Sequence, residues 1–419
     1  MERHMKDSGL PWVGDIPNHW SIERGKNILA LLNRPVLPND GVITCFRDGE
    51  VTLRSNRRED GFTFSDLEIG YQGIEPGDLV VHGMDGFAGS IGISDSRGKG
   101  TPVLNVLDSK QNKKYLMYFM RDMAYNGVFL ALSTGIRIRS CDTNWNKIKN
   151  IYFPLPPIDE QKVITNYLDN KCSLLSSAIT TLKQSVQEYK KLKEAIISEA
   201  TTTGVRPNRT TKKTSIDWVK SIPVEWQEVN PKALFTQRKE KAHMGERQLA
   251  SCQNYGIIYQ EDYMRLTNAK VVPVEKDFDI LKHVEAGDFV ISMRSFQGGL
   301  EYSQNSGSIS SAYVMLIPNK DKVYSPYYRW LLKSEQYIDA LCSTSNMVRD
   351  GQAMRFSNFS QVRLILPPFT EQIEIANYLV EKCSHIDSMI KDKELLICEL
   401  ERARRSIIHE YITGKKSVI

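Results

Sequence analysis

The chain has 419 residues, of which 41% are hydrophobic and 25% charged, and its formal net charge is +5 at neutral pH. This length supports two or more domains with their own cores, and the composition excludes a largely disordered chain. No apolar run approaches the roughly 18 residues of a transmembrane helix, and the first ten residues lack an apolar signal core, so we expect a cytoplasmic protein with no membrane partner. The small positive charge is only a weak indication of an anionic partner.

Residues 1–154 combine strand and helix signals. A Gly-Asp turn leads into an apolar strand pattern between Gly77 and Ile93, and a helical pattern runs from Lys114 to Ala131. We therefore predict a first globular domain of the α+β class.

The segment 155–204 is predicted to form one long helix. The pair Pro156-Pro157 prevents helix before it, Asp159 offers an N-cap oxygen, and Gly204 ends the run. About 44 residues lie between these signals, which is about 66 Å of helix. Apolar residues at alternating spacings of four and three predict a coiled-coil seam, interrupted at Lys193. The seam residues are Leu168, Cys172, Leu175, Ile179, Leu182, Val186, Tyr189 and Ile196.

A second copy of this arrangement follows a polar, basic linker at 205–215. Residues 216–365 repeat the first domain, with Trp218 and Trp226 in place of Trp12 and Trp20, and 366–419 repeat the long helix. Its predicted N-cap is Thr370. Lys393 and Arg404 interrupt its seam, whose residues are Leu379, Cys383, Ile386, Ile390, Ile397, Leu400 and Ile407.

The repeat predicts an α+β protein with an internal pseudo-two-fold relationship. Two seams in one chain can satisfy each other, and helices joined through a globular domain pair most simply as an antiparallel coiled coil. We expect the two domains to lie at opposite ends of this coiled coil. The seven cysteines are scattered without a CxxC motif, and two lie on the seams, which predicts buried reduced thiols rather than disulfides or metal ligands.

Basic residues cluster in the parts of the domains that differ between the copies. Arginine binds guanine and phosphate through paired donors, so these residues are our candidates for DNA contact, with Asn56, Asn144, Gln297 and Gln352 as candidate adenine readers. A solvated charged loop is the alternative interpretation for any one of them. The candidates are Arg47, Arg54, Arg57, Arg58, Arg137 and Arg139 in the first domain, and Arg238, Lys239, Lys241, Arg294, Arg349 and Arg355 in the second.

Signals for catalysis are poor. The sequence has no GxxxxGK[ST] motif, no HExxH motif and no paired Cys/His spacing, so we expect neither a catalytic residue nor a metal. Glu160-Gln161-Lys162 has a nuclease-like spacing, but the second copy replaces the lysine with Ile373. Two alternatives stay open: a self-sufficient DNA methyltransferase or nuclease, and a coiled-coil scaffold that binds protein.

The paired motifs LPPIDEQ and LPPFTEQ, with WVGDIPNHW and WVKSIPVEW, closely resemble the specificity subunit of type I restriction-modification systems. The resemblance covers nearly the whole chain. It implies two target-recognition domains, each reading one half of a bipartite, asymmetric site in double-stranded DNA, and helices that set the spacer between the halves. By position, it marks the Pro-Pro and Glu-Gln pairs as the points where each helix leaves its domain, namely Pro156, Pro157, Glu160, Gln161, Pro367, Pro368, Glu371 and Gln372.

The resemblance also implies partners. In that family the helices help to dock two modification subunits, which use S-adenosylmethionine to methylate adenine, and ATP-dependent restriction subunits join the assembly. The specificity subunit itself is non-catalytic and binds no cofactor. Which loop residues touch bases does not follow from the resemblance, because members differ in those loops.

Overall fold

The computed structural model of the protein forms two compact units. Unit 1 comprises residues 1–183 and 395–419, and unit 2 comprises residues 184–394, so the division falls inside both long helices. The residues that the structure describes are 4–57, 68–131, 143–252, 255–270, 280–292, 295, 300–344 and 354–418.

Short strands build most of unit 1. In its described part the strands are β1 Met5–Asp7, β2 Asp15–Pro17, β3 Ser21–Arg24, β4 Ala30–Leu31, β5 Ile43–Cys45, β6 Val51–Leu53, β7 Gln72–Ile74, β8 Leu79–His82, β9 Ile91–Ile93, β10 Gly98–Gly100, β11 Leu104–Asp108 and β12 Tyr152–Leu155. The helices before the first long helix are α1 Gly25–Ile28, α2 Lys113–Tyr125, α3 Val128–Ala131 and α4 Trp145–Ile148.

An antiparallel sheet in the order β4-β11-β8-β9 is the centre of unit 1. Leu79 and Val81 point into the larger core, which includes α2, whereas Val80 between them points into a smaller core with Ile43 and Val51 of the β5–β6 hairpin. Both faces of the sheet are therefore covered, which explains why β8 is apolar at successive positions.

Unit 2 is built from the corresponding elements. Its strands, in the described residues, are β13 Thr211–Lys213, β14 Ser221–Pro223, β15 Gln227–Val229, β16 Phe235–Arg238, β17 Leu249–Cys252, β18 Gly256–Tyr259, β19 Lys282–Val284, β20 Phe289–Ile291, β21 Glu301–Tyr302, β22 Gly307–Ile309, β23 Val314–Pro318 and β24 Leu364–Leu366. The shorter helices are α6 Gln260–Thr267, α7 Ser325–Leu331, α8 Glu335–Ser343 and α9 Phe356–Phe359.

The sheet of unit 2 has the same topology. Its order is β16-β23-β20-β21, and the smaller pairs of unit 1 also recur, so that β17-β18 matches β5-β6 and β19-β22 matches β10-β7. Phe289 and Ile291 point into the larger core and Val290 into the smaller one, as in unit 1. The predicted α+β repeat is confirmed.

The two long helices are α5 Ile158–Thr203, with 46 residues, and α10 Phe369–Ile412, with 44 residues. Each begins one residue before its predicted N-cap, so the expectation for Asp159 and Thr370 is wrong. Gln161 N donates to Pro157 O and Gln372 N donates to Pro368 O, which makes the second proline of each pair the residue before the helix. After each helix, Gly204 and Gly414 have φ of 81° and 74°, the left-handed conformation that ends helices.

The seam residues face inward in each unit. Every predicted seam residue is buried or half-buried. In unit 1, Tyr167 packs against Tyr411 with ring centroids 4.5 Å apart, and Lys183 Nζ lies 3.4 Å from Glu401 Oε1. In unit 2, Lys190 Nζ lies 3.5 Å from Glu394 Oε1. As residue numbers rise along α5 they fall along α10, so the pairing is antiparallel, as predicted.

Polar interruptions of the seam have specific partners. Lys193 pairs with Asp387 at 2.7 Å, and the ammonium of Lys393 lies 5.3 Å from the centre of the Tyr189 ring. Arg404 Nη1 donates to Ser176 Oγ at 3.2 Å. These long side chains keep their charge near the solvent while their stems cover the seam.

The Glu-Gln pair joins each long helix to its domain. Trp20 Nε1 donates to Glu160 Oε2 at 3.2 Å, and Trp226 Nε1 donates to Glu371 Oε2 at 3.0 Å. Each glutamine accepts a backbone N–H that precedes a short helix and donates to the proline two residues before its own helix. The motif is therefore a junction that fixes the first turn of each helix.

One predicted helix and the predicted burial of the cysteines differ from the structure. The predicted helix from Lys114 to Ala131 is two helices, α2 and α3, separated at Gly127, whose φ is 69°. None of the six described cysteines forms a disulfide, but Cys398 is exposed, so the prediction of burial is wrong there. Across the described residues, no helix has both the length and the apolar character of a membrane span.

Candidate nucleic-acid interface

The β5–β6 hairpin brings together three of the predicted arginines of unit 1. Arg47 is 70% exposed and pairs with Asp85 at 2.9 Å. Arg54 follows β6, and its Nε donates to Thr44 Oγ1 at 3.0 Å. Arg57 lies 4.1 Å from the centre of the Phe46 ring. The hairpin and the residues that follow it therefore carry three guanidinium groups.

Arg57 is held by acidic neighbours in the free protein. It pairs with Asp48 at 2.7 Å and with Glu50 at 2.8 Å, and the hydrogen bond with Asp48 raises the pKa of Arg57 above its ordinary value. An incoming phosphate has to compete with these two carboxylates. We therefore expect a weakly bound phosphate not to displace these carboxylates. A partner that accepts two parallel hydrogen bonds from the guanidinium is better able to displace them.

Two further arginines of unit 1 lie close to the Tyr125 ring. Arg121 of α2 is 5.7 Å and Arg405 of α10 is 5.1 Å from its centre, and Arg121 also donates to the carbonyl oxygen of Asp48 in the hairpin. Neither arginine was predicted from the sequence. Their positions in regular helices far apart in the chain gave no signal that they meet.

In unit 2 the geometry favours a structural role for Arg238, one of the predicted contacts. Its Nε donates to Asp288 Oδ2 at 2.6 Å, and the arginine side chain is only 15% exposed. Unit 1 contains the matching pair, in which Arg34 Nη2 donates to Asp78 Oδ1 at 3.1 Å. Arg238 therefore belongs to a framework that both units share, and its guanidinium donates to the nearly buried Asp288 and to Glu240.

Lys239, Lys241 and Arg355 are exposed. Lys239 and Lys241 follow β16 in the loop that leads to β17, and Lys241 forms a backbone bridge with Lys282 of β19. Arg355 precedes α9, where its backbone N–H donates to Asn358 Oδ1. The remaining predicted contacts, Arg58, Arg137, Arg139, Arg294 and Arg349, lie outside the described residues, as do Gln297 and Gln352.

The structure adds Arg247 to the candidates of unit 2. It comes just before β17, its guanidinium lies 3.5 Å from the centre of the Tyr259 ring, and its side chain is 51% exposed. The hairpin β17–β18 is the counterpart of β5–β6, so both units place arginine and an aromatic ring at the same hairpin. The two hairpins nevertheless differ in the number and position of their basic groups.

The two described amide candidates, Asn144 and Asn56, differ in their hydrogen bonds. Asn144 caps α4 by accepting the N–H of Lys147, which accounts for its position. Asn56 donates to Thr52 Oγ1 at 2.9 Å beside Arg54 and remains exposed.

Within the described residues, one group of side chains has the spacing of metal ligands, namely Glu240, His243 and His283.

The chain is similar to several known proteins. Residues 223–393 match the family described as "Type I restriction modification DNA specificity domain". A Methanocaldococcus jannaschii protein, provisionally named the MjaX specificity subunit of a type I restriction enzyme, is 24% identical over 96% of this chain and 95% of its own. The EcoBI specificity subunit of Escherichia coli is 21% identical over 82% and 74% of the two chains.

A solved structure shares the fold over its whole length. It comes from work described as the structural basis of complex assembly and conformational transition of the type I R-M system, and the TM-score is 0.68 at 14% identity, over 96% of this chain and 99% of that chain. The Methanocaldococcus jannaschii and Escherichia coli relatives are both named as specificity subunits. Over nearly its whole length, the chain is thus similar to specificity subunits of type I restriction-modification systems.

Proposed function

We propose that this chain reads a bipartite, asymmetric DNA site, with the domain at 1–154 recognising one half and the domain at 216–365 the other. The proposal rests on one observation. The two units share a framework, but their matching hairpins carry different polar groups. The shared framework suggests that both domains bind DNA. The different hairpin surfaces suggest that the two half-sites differ in sequence.

The long helices at 155–204 and 366–419 are proposed to set the unspecified spacer and to dock two modification subunits, with restriction subunits joining the complex. The proposed linker at 205–215 joins the first long helix to the second domain. The antiparallel pairing inside each unit supports this role, because a continuous α-helix with a packed seam resists bending. In this scheme methyl transfer and cleavage belong to the partner subunits.

Methylome sequencing tests the central part of the proposal. The chain is co-expressed with its modification subunit in a host without other methylation, and the modified sites are mapped. We expect one motif with two defined parts separated by a fixed number of unspecified bases. A single continuous motif would contradict the proposal. The purified chain alone, given DNA and labelled S-adenosylmethionine, is expected to transfer no methyl group.

Substitution of hairpin arginines tests which residues contact DNA. Arg47→Ala and Arg54→Ala are expected to weaken discrimination at the first half-site, by about 1–3 kcal/mol where the arginine reads a base. Arg247→Ala is expected to act on the second half-site. Lys113→Ala, which removes a solvent-exposed pair with Asp108, is the control and should change neither half. Unchanged binding in all three arginine variants would discard the hairpins as contact sites.

The spacer function can be tested by lengthening both helices together. Lys183 and Glu401 lie at one level of the helix pair, so seven residues inserted after Lys183 and seven before Glu401 preserve the seam period. The insertion adds about 10 Å to each helix, or about three base pairs of DNA. We expect the spacer to lengthen while both half-sites keep their sequences, and an unchanged spacer would show that the helices do not set it.

A further inference from the structure

The loop between β16 and β17 holds a group of imidazole and carboxylate side chains against β19. Glu240, His243 and Glu246 lie on the loop, and His283 lies on the strand. The backbone fixes the loop there, because His283 N donates to Glu240 O at 3.1 Å and Ala242 N donates to Leu281 O at 3.1 Å. The group is therefore held by main-chain hydrogen bonds as well as by its side chains.

His283 has the surroundings of a metal-binding histidine. Its side chain is 7% exposed, and its Nε2 lies 3.0 Å from Glu285 Oε2, while Glu285 Oε1 accepts a hydrogen bond from Ser306 at 2.7 Å. Histidines that bind metals are commonly oriented by a carboxylate on the ring nitrogen away from the metal. This arrangement directs Nδ1 of His283 toward the rest of the group.

The remaining side chains converge on that nitrogen. Glu246 Oε1 lies 2.6 Å from His283 Nδ1 and 2.7 Å from His243 Nδ1. His243 Nε2 lies 3.1 Å from Glu240 Oε1. One ligand atom each from Glu240, His243 and His283 can be chosen so that all lie within 4.8 Å of one another. Two imidazoles and two carboxylates thus share one small volume.

Two carboxylates of the group have further features that suit a cation. Glu240 is oriented by Arg238, whose Nη1 donates to Glu240 Oε2 at 2.9 Å. Glu246 Oε2 is buried and has no hydrogen-bond donor among the described residues. A buried acceptor without a donor is costly, and a cation at this carboxylate would relieve that cost.

We propose that His243, His283, Glu240 and Glu246 bind a divalent transition-metal cation, for which Zn²⁺ is the best match. Imidazole and carboxylate are common zinc ligands, at about 2.0–2.2 Å, so tetrahedral ligand atoms lie about 3.3 Å apart. The two short contacts of Glu246 Oε1 must open by about 0.6–0.7 Å to reach that spacing. His243 is 60% exposed, which leaves its ring room to move.

The metal is structural, because the protein supplies four ligands. It fixes the loop that carries Lys239 and Lys241 onto β19. The metal site goes beyond the proposed DNA reading, and its test does not require DNA.

The test is a Zn²⁺ titration of the full-length chain after removal of bound metal with a chelator. Calorimetry and competition with a chromogenic indicator are expected to show a tight 1:1 site that Mg²⁺ does not occupy. His243→Ala is expected to weaken binding at least tenfold, and His385→Ala, an exposed histidine of α10 in the same unit, is the matched control and should have no effect. Absence of a tight site, or equal affinity in the His243→Ala variant, would overturn the proposal.

Two further measurements separate this site from other metal-binding groups. Glu285→Gln keeps the shape of the residue that orients His283, and is expected to weaken Zn²⁺ binding by about 10–100-fold. X-ray absorption of the 1:1 zinc complex is expected to show imidazole and oxygen ligands. A sulfur ligand would assign the metal to a cysteine and overturn the proposal.

Discussion

Units 1 and 2 perform the same structural tasks with different residues. In unit 1, the hydroxyl of Tyr115 lies within hydrogen-bond distance of both Pro154 O, at 2.9 Å, and Ile412 O, at 3.0 Å. In unit 2, two neighbouring residues divide the work: Tyr327 donates to Thr201 O and Tyr328 to Ile365 O. The position of the contact is kept while the side chain that makes it changes.

A second difference concerns charge. In unit 1, His409 Nδ1 lies 3.0 Å from Asp122 Oδ2, whereas the corresponding residue of unit 2, Ser198, hydrogen-bonds to Gln336 at 2.7 Å. The same place therefore has an ionisable pair in one unit and a neutral pair in the other. The position of the contact is therefore kept in both units, although its chemistry differs. The two units can consequently respond differently to substitution and to pH.

The largest expected effect is at the junction of unit 2. Glu371 is fully buried, and its carboxylate accepts hydrogen bonds from Arg209, which is 11% exposed, and from Trp226. Glu371→Ala leaves a nearly buried guanidinium without this partner, so we expect the free energy of unfolding of unit 2 to fall by about 3–5 kcal/mol. Hydrogen exchange of the α7 amides measures this loss.

Glu374→Ala is the matched control for that prediction. Glu374 lies three residues further along α10 and pairs with Arg206 on the surface, where both side chains are close to half-exposed. Exposed pairs contribute little, so hydrogen exchange in unit 2 should stay unchanged. Equal losses in the two variants would show that the junction carboxylate has no special importance.

The tyrosine contacts give an effect of intermediate size. Tyr115→Phe removes a hydroxyl that can donate one hydrogen bond, so we expect the free energy of unfolding of unit 1 to fall by about 1 kcal/mol. Tyr327→Phe and Tyr328→Phe should each cost about the same in unit 2, and the double variant about 2 kcal/mol, because two separate hydrogen bonds are lost. Hydrogen exchange of α2 and α7 reports the two units, and a double variant no worse than either single one would argue against the division of labour.

The smallest expected effect is a pH dependence at the His409–Asp122 pair of unit 1. The hydrogen bond with Asp122 raises the pKa of His409 above its ordinary value, although burial and Lys415 oppose the rise and Glu410 adds slightly to it. A raised folded-state pKa stabilises the fold fully below the unfolded value of about 6.5, and this stabilisation is lost as pH rises through the folded-state pKa. We therefore expect His409→Gln to destabilise unit 1 more at about pH 5.5 than at about pH 8.5.

Ser198→Ala in unit 2 serves as the comparison for His409→Gln. Its hydrogen bond to Gln336 involves no ionisable group, so any loss should be the same at both pH values. Denaturant unfolding at the two values measures both variants. A pH-independent effect of His409→Gln would contradict the assignment of the ion pair.

Periodicity in the sequence was enough to predict the long helices, because seam positions such as Leu168 and Leu379 repeat over many turns. The Gly-Asp turns likewise predicted the apolar strands β8 and β20. The pairing of short strands could not be predicted, since three-residue strands carry too little pattern and their partners lie far away in the chain.

The candidate site was harder to predict than the fold. Arg238 looked like its neighbours Lys239 and Lys241 in sequence, but its partner, Asp288, is 50 residues away. Arg247, Arg121 and Arg405 became candidates only when the structure placed aromatic rings beside them. Charge alone does not distinguish an arginine that holds the framework from one that faces the solvent.

Exchange of the first domain tests whether the two domains read DNA independently. Residues 10–154 are replaced with the same segment of another specificity subunit, and the modified sites are mapped in the presence of the modification subunit. We expect one half of the recognised site to change, while the other half and the spacer stay the same. A change in both halves, or in neither, would contradict the claim that the two copies of the framework read DNA independently.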